Sequence, residues 1–265
     1  YLDSSDVGAF PPLGLLYVLS YLEENTTGHE MVFLDCIGEK VSQAELPNKI
    51  REISPDVIGI TSFTISLVDI SRAVKTMKKI VPNAHICLGG HHPIAFPYLA
   101  AQLEGIDSII VGEGEIAFKE LVNALEEEKE FTCIQGVYTK DSIQQYVGKD
   151  FKDNRFLTTV SVPPAYIEEV ENLPTPNRSY IKHIDYGSAI GLSDRMTSII
   201  TTRGCPYRCT FCDVPYKRYR KRDMSLVVDE VEECLAMGYD EIRFYDDLFN
   251  IKPERVIEFC DEVEK

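Results

Sequence analysis

The stretch Met196-Thr-Ser-Ile-Ile-Thr-Thr-Arg-Gly-Cys-Pro-Tyr-Arg-Cys-Thr-Phe-Cys212 joins a short apolar run to three closely spaced cysteines. Its first part, Met196 to Thr202, predicts a β-strand. Cys205, Cys209 and Cys212 follow in a C-x3-C-x2-C spacing. The stretch therefore predicts a strand that delivers a cysteine loop from its carboxyl end, where parallel α/β folds place their ligands.

The number of cysteines in this loop indicates its chemistry. Cysteine thiolates are the usual ligands of the four irons in a cubane cluster, so three of them leave one iron open for a small molecule. A structural zinc site requires four ligands, and the downstream cysteines Cys234 and Cys260 offer no CxxC pair. Three residues lie next to the cysteines of this triad, and chance explains their placement poorly: Gly204, Pro206 and Phe211. The triad predicts a cluster site, while Cys36, Cys87, Cys133, Cys234 and Cys260 are expected to be small buried hydrophobes.

Composition limits the class of protein. The chain has 265 residues, of which 44% are hydrophobic and 26% charged, which indicates one or two globular domains. No apolar run approaches the roughly 20 residues that span a bilayer. A net charge of −16 argues against a nucleic-acid partner. Thiols meant for a cluster predict a reducing cytoplasm, and a start at Tyr1 predicts a fragment of a longer protein.

One basic run departs from this acidic balance. Lys217-Arg-Tyr-Arg-Lys-Arg222 directly follows the cysteine loop. Two readings stay open at this point: a solvated charged loop, or a site for an anionic group of a substrate or cofactor.

Upstream, short apolar runs alternate with helical periodicity. Strands are predicted near residues 31–35, 55–61, 85–89 and 108–112, and helices near 13–25, 42–53, 66–80, 95–103 and 115–128. A hairpin is predicted from Val137-Tyr-Thr139 and Ile143 to Val147. This alternation is typical of an α/β fold with a Rossmann-like, doubly wound parallel sheet.

Three domain segments follow from these patterns. Residues 1–150 form the first α/β domain, and residues 151–192, with Leu173-Pro-Thr-Pro176, form a linker in which prolines interrupt periodicity. Residues 193–265 supply a strand, a helix near 226–237, a strand near 240–245 and a helix near 253–265. Two βα units cannot close a barrel, so we expect a partial (β/α) barrel.

Glycines mark three strand ends of the first domain: Gly59, Gly89-Gly90 and Gly112-Glu-Gly114. Each alone is most simply a strand-to-helix turn. Three of them in one sheet favour a ligand at its carboxyl edge. None matches a GxGxxG or Walker loop, so a dinucleotide or ATP has weak support.

The cysteine spacing, with Phe211 before the third cysteine, resembles the radical S-adenosylmethionine (SAM) superfamily. By that resemblance Cys205, Cys209 and Cys212 bind a [4Fe-4S] cluster whose open iron chelates SAM, and Phe211 lies in the cofactor site. The resemblance also implies that an acidic residue of Phe244-Tyr-Asp-Asp-Leu-Phe249 accepts hydrogen bonds from the SAM amino group. Asp246 is the first choice and Asp247 the alternative, while Glu230 and Glu232 look like surface charges.

The first half resembles the cobalamin-binding domain of B12-dependent radical SAM proteins. The matching pieces are Pro11-Pro-Leu-Gly14, Gly89-Gly-x-His92 and Gly112-Glu-Gly-Glu115. The D-x-H-x-x-G signature that supplies a lower axial histidine in other B12 proteins is absent. The cofactor contacts that the resemblance implies are Pro12, Leu13, Gly14, Thr61, Ser62, Gly89, Gly90, His92, Gly112, Glu113 and Gly114.

The two resemblances together imply a cobalamin-dependent radical SAM enzyme. Its cluster would reduce SAM to methionine and a 5′-deoxyadenosyl radical, and methyl transfer to an unactivated carbon is the first expectation. Cyclisation or rearrangement, and a non-catalytic corrinoid or iron–sulfur protein, are the alternatives. The partners expected are a small-molecule or peptide substrate and an electron donor such as a flavodoxin or ferredoxin.

Overall fold

The structure, a computed structural model, describes residues 8–148, 160–188, 193, 195–212 and 216–265. Its strands are β1 (Gly8–Ala9), β2 (Val57–Thr61), β3 (His85–Gly89), β4 (Ser108–Ile110), β5 (Val137–Tyr138), β6 (Gly187–Ser188), β7 (Met196–Ile199), β8 (Thr202–Arg203), β9 (Arg220–Lys221) and β10 (Glu241–Phe244). Its α-helices are α1 (Leu13–Asn25), α2 (Leu46–Ile53), α3 (Leu67–Ile80), α4 (His91–Ala95), α5 (Pro97–Ala101), α6 (Gly114–Glu126), α7 (Met224–Ala236) and α8 (Pro253–Val263). None of the helices in these ranges is long and apolar enough to cross a bilayer.

The chain divides into two compact units. One comprises residues 21–32 and 42–167, and the other comprises residues 1–20, 33–41 and 168–265. The predicted boundaries at 150 and 192 stay a prediction, and residues 151–159 and 189–192 of the predicted linker lie outside the described ranges.

The first unit contains a four-stranded sheet in the order β2-β3-β4-β5. The first three strands are parallel, and β5 is antiparallel to β4. Alternate side chains enter opposite cores: Leu88 and Ile109 pack with Tyr138, whereas Cys87 and Ile110 pack with Leu121 of α6. The sheet is therefore covered on both faces, and the predicted α/β class is confirmed.

The second unit contains the end of the chain. Strand β7 is buried throughout and pairs in parallel with β10, with Ile199 opposite Phe244. Helix α7 connects them, and its residues Val231 and Cys234 pack against Ile199. These are the βα units of the predicted partial barrel. A short antiparallel pair, β8 with β9, joins the residues on either side of the cysteine loop.

Two predicted elements are wrong. Residues 31–35 are not a strand, because the Asp35 carboxylate accepts bonds from the amides of Ile37 (2.9 Å) and Gly38 (3.0 Å) and turns the chain. The second arm of the hairpin is a 3₁₀ helix, Ser142–Tyr146. Thr139 and Ser142 bond reciprocally through side chain and amide, which starts that helix.

The expected burial of the remaining cysteines is right for two of them. Cys87 and Cys234 are buried, and burial raises the pKa of the Cys87 thiol to about 12 and that of Cys234 to about 11. The other three are exposed: Cys36, Cys133 and Cys260.

Candidate functional site

The cysteine loop begins where β7 ends. Because β7 and β10 are parallel and adjacent, their carboxyl ends bring Thr201 close to Asp246. Cys205 and Cys212 are half-buried, Cys209 is exposed, and none forms a disulfide. The amide of Cys205 donates to the Tyr216 carbonyl (2.9 Å), and the amide of Cys212 donates to the Cys209 carbonyl (3.1 Å).

The chemistry of this donor set fits an iron–sulfur cluster. Three unpaired thiols on an exposed loop offer soft ligands, which such clusters prefer. Within the described part of the chain, no three Cys, His, Asp or Glu side chains converge on one point as a mononuclear metal site requires. A cubane places its thiolates on separate irons, so it does not demand that convergence. The cluster role of Cys205, Cys209 and Cys212 stays a prediction.

Gly204 makes the turn into the loop possible. Its φ is +78°, and a β-carbon there would lie 2.4 Å from the carbonyl oxygen of Arg218. The chain that returns after the loop therefore passes directly over Gly204, where any side chain would meet both strain and backbone. Phe211, a predicted cofactor contact, is 90% exposed.

The two carboxylates at the end of β10 differ in surroundings. Asp246 is half-buried, and its Oδ1 accepts bonds from the amides of Thr201 (2.6 Å) and Thr202 (2.7 Å). Its Oδ2 accepts a bond from the Thr201 hydroxyl at 2.8 Å. Asp247 is exposed, and its carboxylate has no hydrogen-bond or ion-pair partner among the described residues. The SAM contact of either residue stays a prediction.

A buried charge cluster, formed by Arg178, Arg222, Glu230 and Tyr17, lies behind the loop. Glu230 binds Arg178 through Oε1 and Arg222 through Oε2, each at 2.5 Å. Arg222 also donates to the Ile200 carbonyl (3.0 Å) and to the Tyr17 hydroxyl (3.3 Å). Burial, then the charge of Glu230, raises the pKa of Tyr17 to about 12.

The expectation that Glu230 is a surface charge is therefore wrong, whereas Glu232 is exposed as expected. The sequence carried a signal for this difference. Val227, Val231 and Cys234 form the buried stripe of α7, and position 230 falls within that stripe at helical spacing. A carboxylate on the apolar face of a helix requires a buried cation, and Arg178 and Arg222 supply two.

The basic run after the loop is divided by the fold. Lys217, Arg218 and Lys221 are exposed, which fits the solvated reading. Arg220 and Arg222 are buried, and the guanidinium of Arg220 lies 5.4 Å from the centroid of the Tyr216 ring. Arg222 forms an ion pair with Glu230. The anion that Arg222 binds is therefore a carboxylate of the protein itself, and not an anionic group of a substrate or cofactor.

In the other unit, the ends of β2 and β3 are bonded to each other. The Ser62 amide and hydroxyl both donate to the Gly89 carbonyl, at 2.9 and 2.8 Å. Gly90 has a φ of +88°, and a β-carbon there would lie 2.6 Å from the Ser62 nitrogen. Thr61 is exposed beside this pair. Gly90 is thus required by the fold, whether or not it also contacts a cofactor.

His92 is buried, while its neighbour His91 is exposed and stacks on Phe63 at 4.9 Å between ring centroids. The Nδ1 atom of His92 bonds the Thr64 hydroxyl at 3.1 Å, and Nε2 has no partner among the described residues. Burial lowers the pKa of His92. The cobalamin contact that the resemblance implies for His92 stays a prediction.

The remaining predicted cofactor residues lie in two places. Glu113 is buried and accepts a bond from the Ile167 amide at 2.7 Å, and Gly112 forms a bridge with Ala165. These contacts tie residues 165–167 to the end of β4. Gly114 begins α6. Residues 12–14 belong to the unit with the cysteine loop, where Leu13 is buried and Gly14 is exposed.

The chain matches two family models. The B12 binding domain matches residues 4–122, and the Radical SAM superfamily matches residues 199–265. An uncharacterized methyltransferase of Pyrococcus horikoshii, PH0819, is 30% identical and aligns over 94% of this chain and 51% of its own length. An anaerobic magnesium-protoporphyrin IX monomethyl ester cyclase of Rubrivivax gelatinosus is 28% identical over 97% of this chain and 45% of its own. The chain thus spans about half the length of these relatives.

A solved structure supports the fold. The radical SAM methyltransferase TsrM of Kitasatospora setae, solved with cobalamin and a [4Fe-4S] cluster, superposes with a TM-score of 0.69 at 22% identity. The alignment covers 96% of this chain and 48% of that one. Fold and matches define an α/β protein that joins a B12 binding domain to a radical SAM core. The chain belongs to the B12-binding, cobalamin-dependent radical SAM protein family.

Proposed function

We propose that this chain is the cofactor-binding part of a cobalamin-dependent radical SAM enzyme, and that the enzyme transfers a methyl group to an unactivated carbon. The observation that carries the proposal is the loop of three unpaired cysteines at the carboxyl end of β7, beside the acidic end of β10. When bound, a [4Fe-4S] cluster supplies the electron for cleavage of SAM, and cobalamin supplies a carrier for the methyl group.

The protein residues hold and orient these groups. Cys205, Cys209 and Cys212 bind the cluster, and Gly204 lets the loop turn back under Arg218. One carboxylate of the pair Asp246 and Asp247 accepts hydrogen bonds from the amino group of SAM, since a carboxylate is a strong acceptor for a cationic donor. Phe211 projects from the loop as an apolar surface for SAM.

The corrinoid is proposed to bind at the sheet edge of the other unit, which contains β2, β3 and β4. Phe63 and Ile65 follow β2 and are exposed, Ile65 by 94%, so this edge presents an apolar surface. Exposed apolar side chains beside strand ends suit the apolar face of a corrin ring. Residues Thr61, Ser62, Gly89, Gly90, His92, Gly112, Glu113 and Gly114 are proposed to line it, and the cobalamin contacts expected of Pro12, Leu13 and Gly14 stay a separate prediction.

Cyclisation is the second candidate, because one relative is named as a cyclase of magnesium-protoporphyrin IX monomethyl ester. A small-molecule substrate fits either reaction. An external one-electron donor, a flavodoxin or ferredoxin, is proposed to reduce the cluster. The cytoplasm is the proposed location, because the cluster thiols require reducing conditions.

Anaerobic reconstitution of the whole chain with iron and sulfide tests the proposal. The reduced protein should convert SAM to 5′-deoxyadenosine and methionine, and Cys209→Ala should lose the cluster absorption and this product. Cys260→Ala, which removes an exposed cysteine of α8, is the matched control and should retain both. A wild-type protein that binds iron yet leaves SAM intact would contradict the reading as a radical SAM enzyme.

Cobalamin binding is measured separately by visible absorption after gel filtration of the whole chain. Ile65→Asp should reduce the retained corrinoid, because it places a charge on the apolar edge. Ile257→Asp, at an exposed apolar site in the other unit, should not. Equal retention by both variants would remove the 61–66 loop from the proposed site.

A further inference from the structure

Asp246 is bound into the fold by three donors. Both of its carboxylate oxygens are used, two amides and a hydroxyl reaching them at 2.6 to 2.8 Å. The donors belong to Thr201 and Thr202, which are fully buried. They lie between the end of β7 and the first cysteine, so this carboxylate fixes the backbone from which the cysteine loop departs.

The same peptide is held from its other side. The carbonyl oxygen of Thr201 accepts bonds from the Arg222 amide (3.0 Å) and from Nη2 of Arg255 (3.3 Å). Arg255 lies in α8, is buried, and also donates to the Arg222 carbonyl at 2.9 Å. Three segments therefore converge on Thr201: the residues that follow β10, through Asp246; helix α8, through Arg255; and the residues that follow β9, through Arg222.

A direct SAM contact by Asp246 would compete with this arrangement. If its carboxylate turned toward a ligand, two amides of buried residues would lose their acceptor, and unpaired buried amides are strongly disfavoured. Asp247 carries the same charge one residue later, is exposed, and has no partner among the described residues.

We propose that Asp246 is a positioning residue that fixes the start of the cysteine loop, and that Asp247 is the carboxylate that receives the ammonium group of SAM. The second part rests on the proposed function, whereas the first concerns the protein alone. The division of labour follows from the surroundings of the two side chains: the carboxylate with three internal donors orders the loop, and the carboxylate without one meets the ligand.

Two substitutions of Asp246 separate the roles. Asp246→Asn keeps an oxygen for the two amides and offers an N–H to the Thr201 hydroxyl oxygen, so it preserves the contacts and removes the charge. Asp246→Ala removes every contact. Asp247→Asn removes the charge of the neighbour and serves as the matched variant.

Hydrogen exchange of the whole chain, followed by mass spectrometry on peptides that cover residues 200–204, tests the positioning role without any cofactor. The Thr201 and Thr202 amides should stay protected in Asp246→Asn and Asp247→Asn and exchange roughly tenfold faster or more in Asp246→Ala. If Asp246→Ala does not fold, Thr201→Val, which removes only the hydroxyl arm, should show a smaller acceleration. Unchanged protection in the alanine and valine variants would overturn the positioning role.

The SAM role is read from the electron paramagnetic resonance spectrum of the reduced, reconstituted chain with and without SAM. SAM should change the spectrum of wild type and Asp246→Asn, and leave that of Asp247→Asn unchanged. Loss of the SAM effect in Asp246→Asn, with its amides still protected, would identify Asp246 as the ligand and overturn the proposal. Absence of the effect in wild type would count against the proposed function and the Asp247 assignment, while the exchange result for Asp246 would stand.

Discussion

Substitution of Glu230 by Gln tests the buried charge cluster most directly. The Glu230 carboxylate lies 2.5 Å from one nitrogen of Arg178 and 2.5 Å from one of Arg222, and all three side chains are buried. Gln has a single acceptor oxygen, and its amide hydrogens would face a guanidinium that also only donates. Two buried cations would then share no counter-charge.

Breaking a buried ion pair by removal of one partner costs about 3–5 kcal/mol. We expect Glu230→Gln to lower the free energy of unfolding by about 4 kcal/mol, which changes the folding equilibrium roughly a thousandfold and is a large share of the stability of a typical domain. The cluster lies within one of the two units, so only the transition of that unit should shift. Urea titration followed by circular dichroism measures it, since the chain has no tryptophan.

Glu232→Gln is the control, because Glu232 lies exposed on the same helix. It should stay within about 0.5 kcal/mol of wild type. The double variant Glu230→Gln with Arg178→Met should cost less than the sum of the single changes, because one of the two uncompensated cations is gone. Equal unfolding midpoints for Glu230→Gln and Glu232→Gln would refute the reasoning.

Gly204→Ala should abolish iron binding on reconstitution, because its β-carbon would collide with the Arg218 carbonyl. Gly28→Ala is the control: its φ is similar at +83° and no atom lies within 4 Å, so it should cost only about 1–2 kcal/mol of strain and keep the iron. Equal iron content in both variants would contradict the collision with Arg218. Burial lowers the pKa of His85 and of His92, so the unfolded chain binds more protons below its histidine pKa near 6.5. The stability of the unit that contains both histidines should therefore fall as pH drops below about 6.5. The urea midpoint of a variant with both histidines changed to Gln should depend less on pH. An unaltered pH dependence in that variant would contradict the role of the two histidines. Glu113→Ala removes the acceptor of the Ile167 amide, so limited proteolysis near residues 160–170 should accelerate. Glu120→Ala, at an exposed site, is the control and should leave the cleavage rate unchanged. Equal cleavage rates in the two variants would show that Glu113 does not hold that segment.

Periodicity in the sequence predicted most of the helices and strands because their buried residues recur without interruption. The runs that became β2, β3, β4, β7 and β10 are apolar and pair with parallel neighbours, and their helices carry regular buried stripes. The strand prediction for residues 31–35 failed because an apolar run does not show which groups its backbone will bond to. There, Asp35 supplies local acceptors and also receives the Tyr186 hydroxyl at 2.7 Å, from a residue far along the chain.

For the candidate site, spacing identified the cysteine loop but not what supports it. The three cysteines are close in sequence, so their pattern is readable directly. The contacts of Arg178 and Glu230 join residues that are 52 positions apart, and those of Thr201 and Asp246 join residues 45 apart. Such pairs are set by which strands become neighbours, and strand order is not encoded in any local pattern.

Buried hydrogen bonds and ion pairs hold the two ends of the cysteine loop. Before the loop, Asp246 and Arg255 fix Thr201; after it, Glu230 fixes Arg222, whose amide also reaches Thr201. Between them Cys209 and Phe211 are exposed, and an exposed stretch gains little from packing. Fixed ends set where the thiols can reach, while the exposed position of Cys209 leaves its thiol accessible to a cluster. Iron and sulfide should therefore slow hydrogen exchange of residues 205–212 much more than that of Thr201 and Thr202, which are ordered without it.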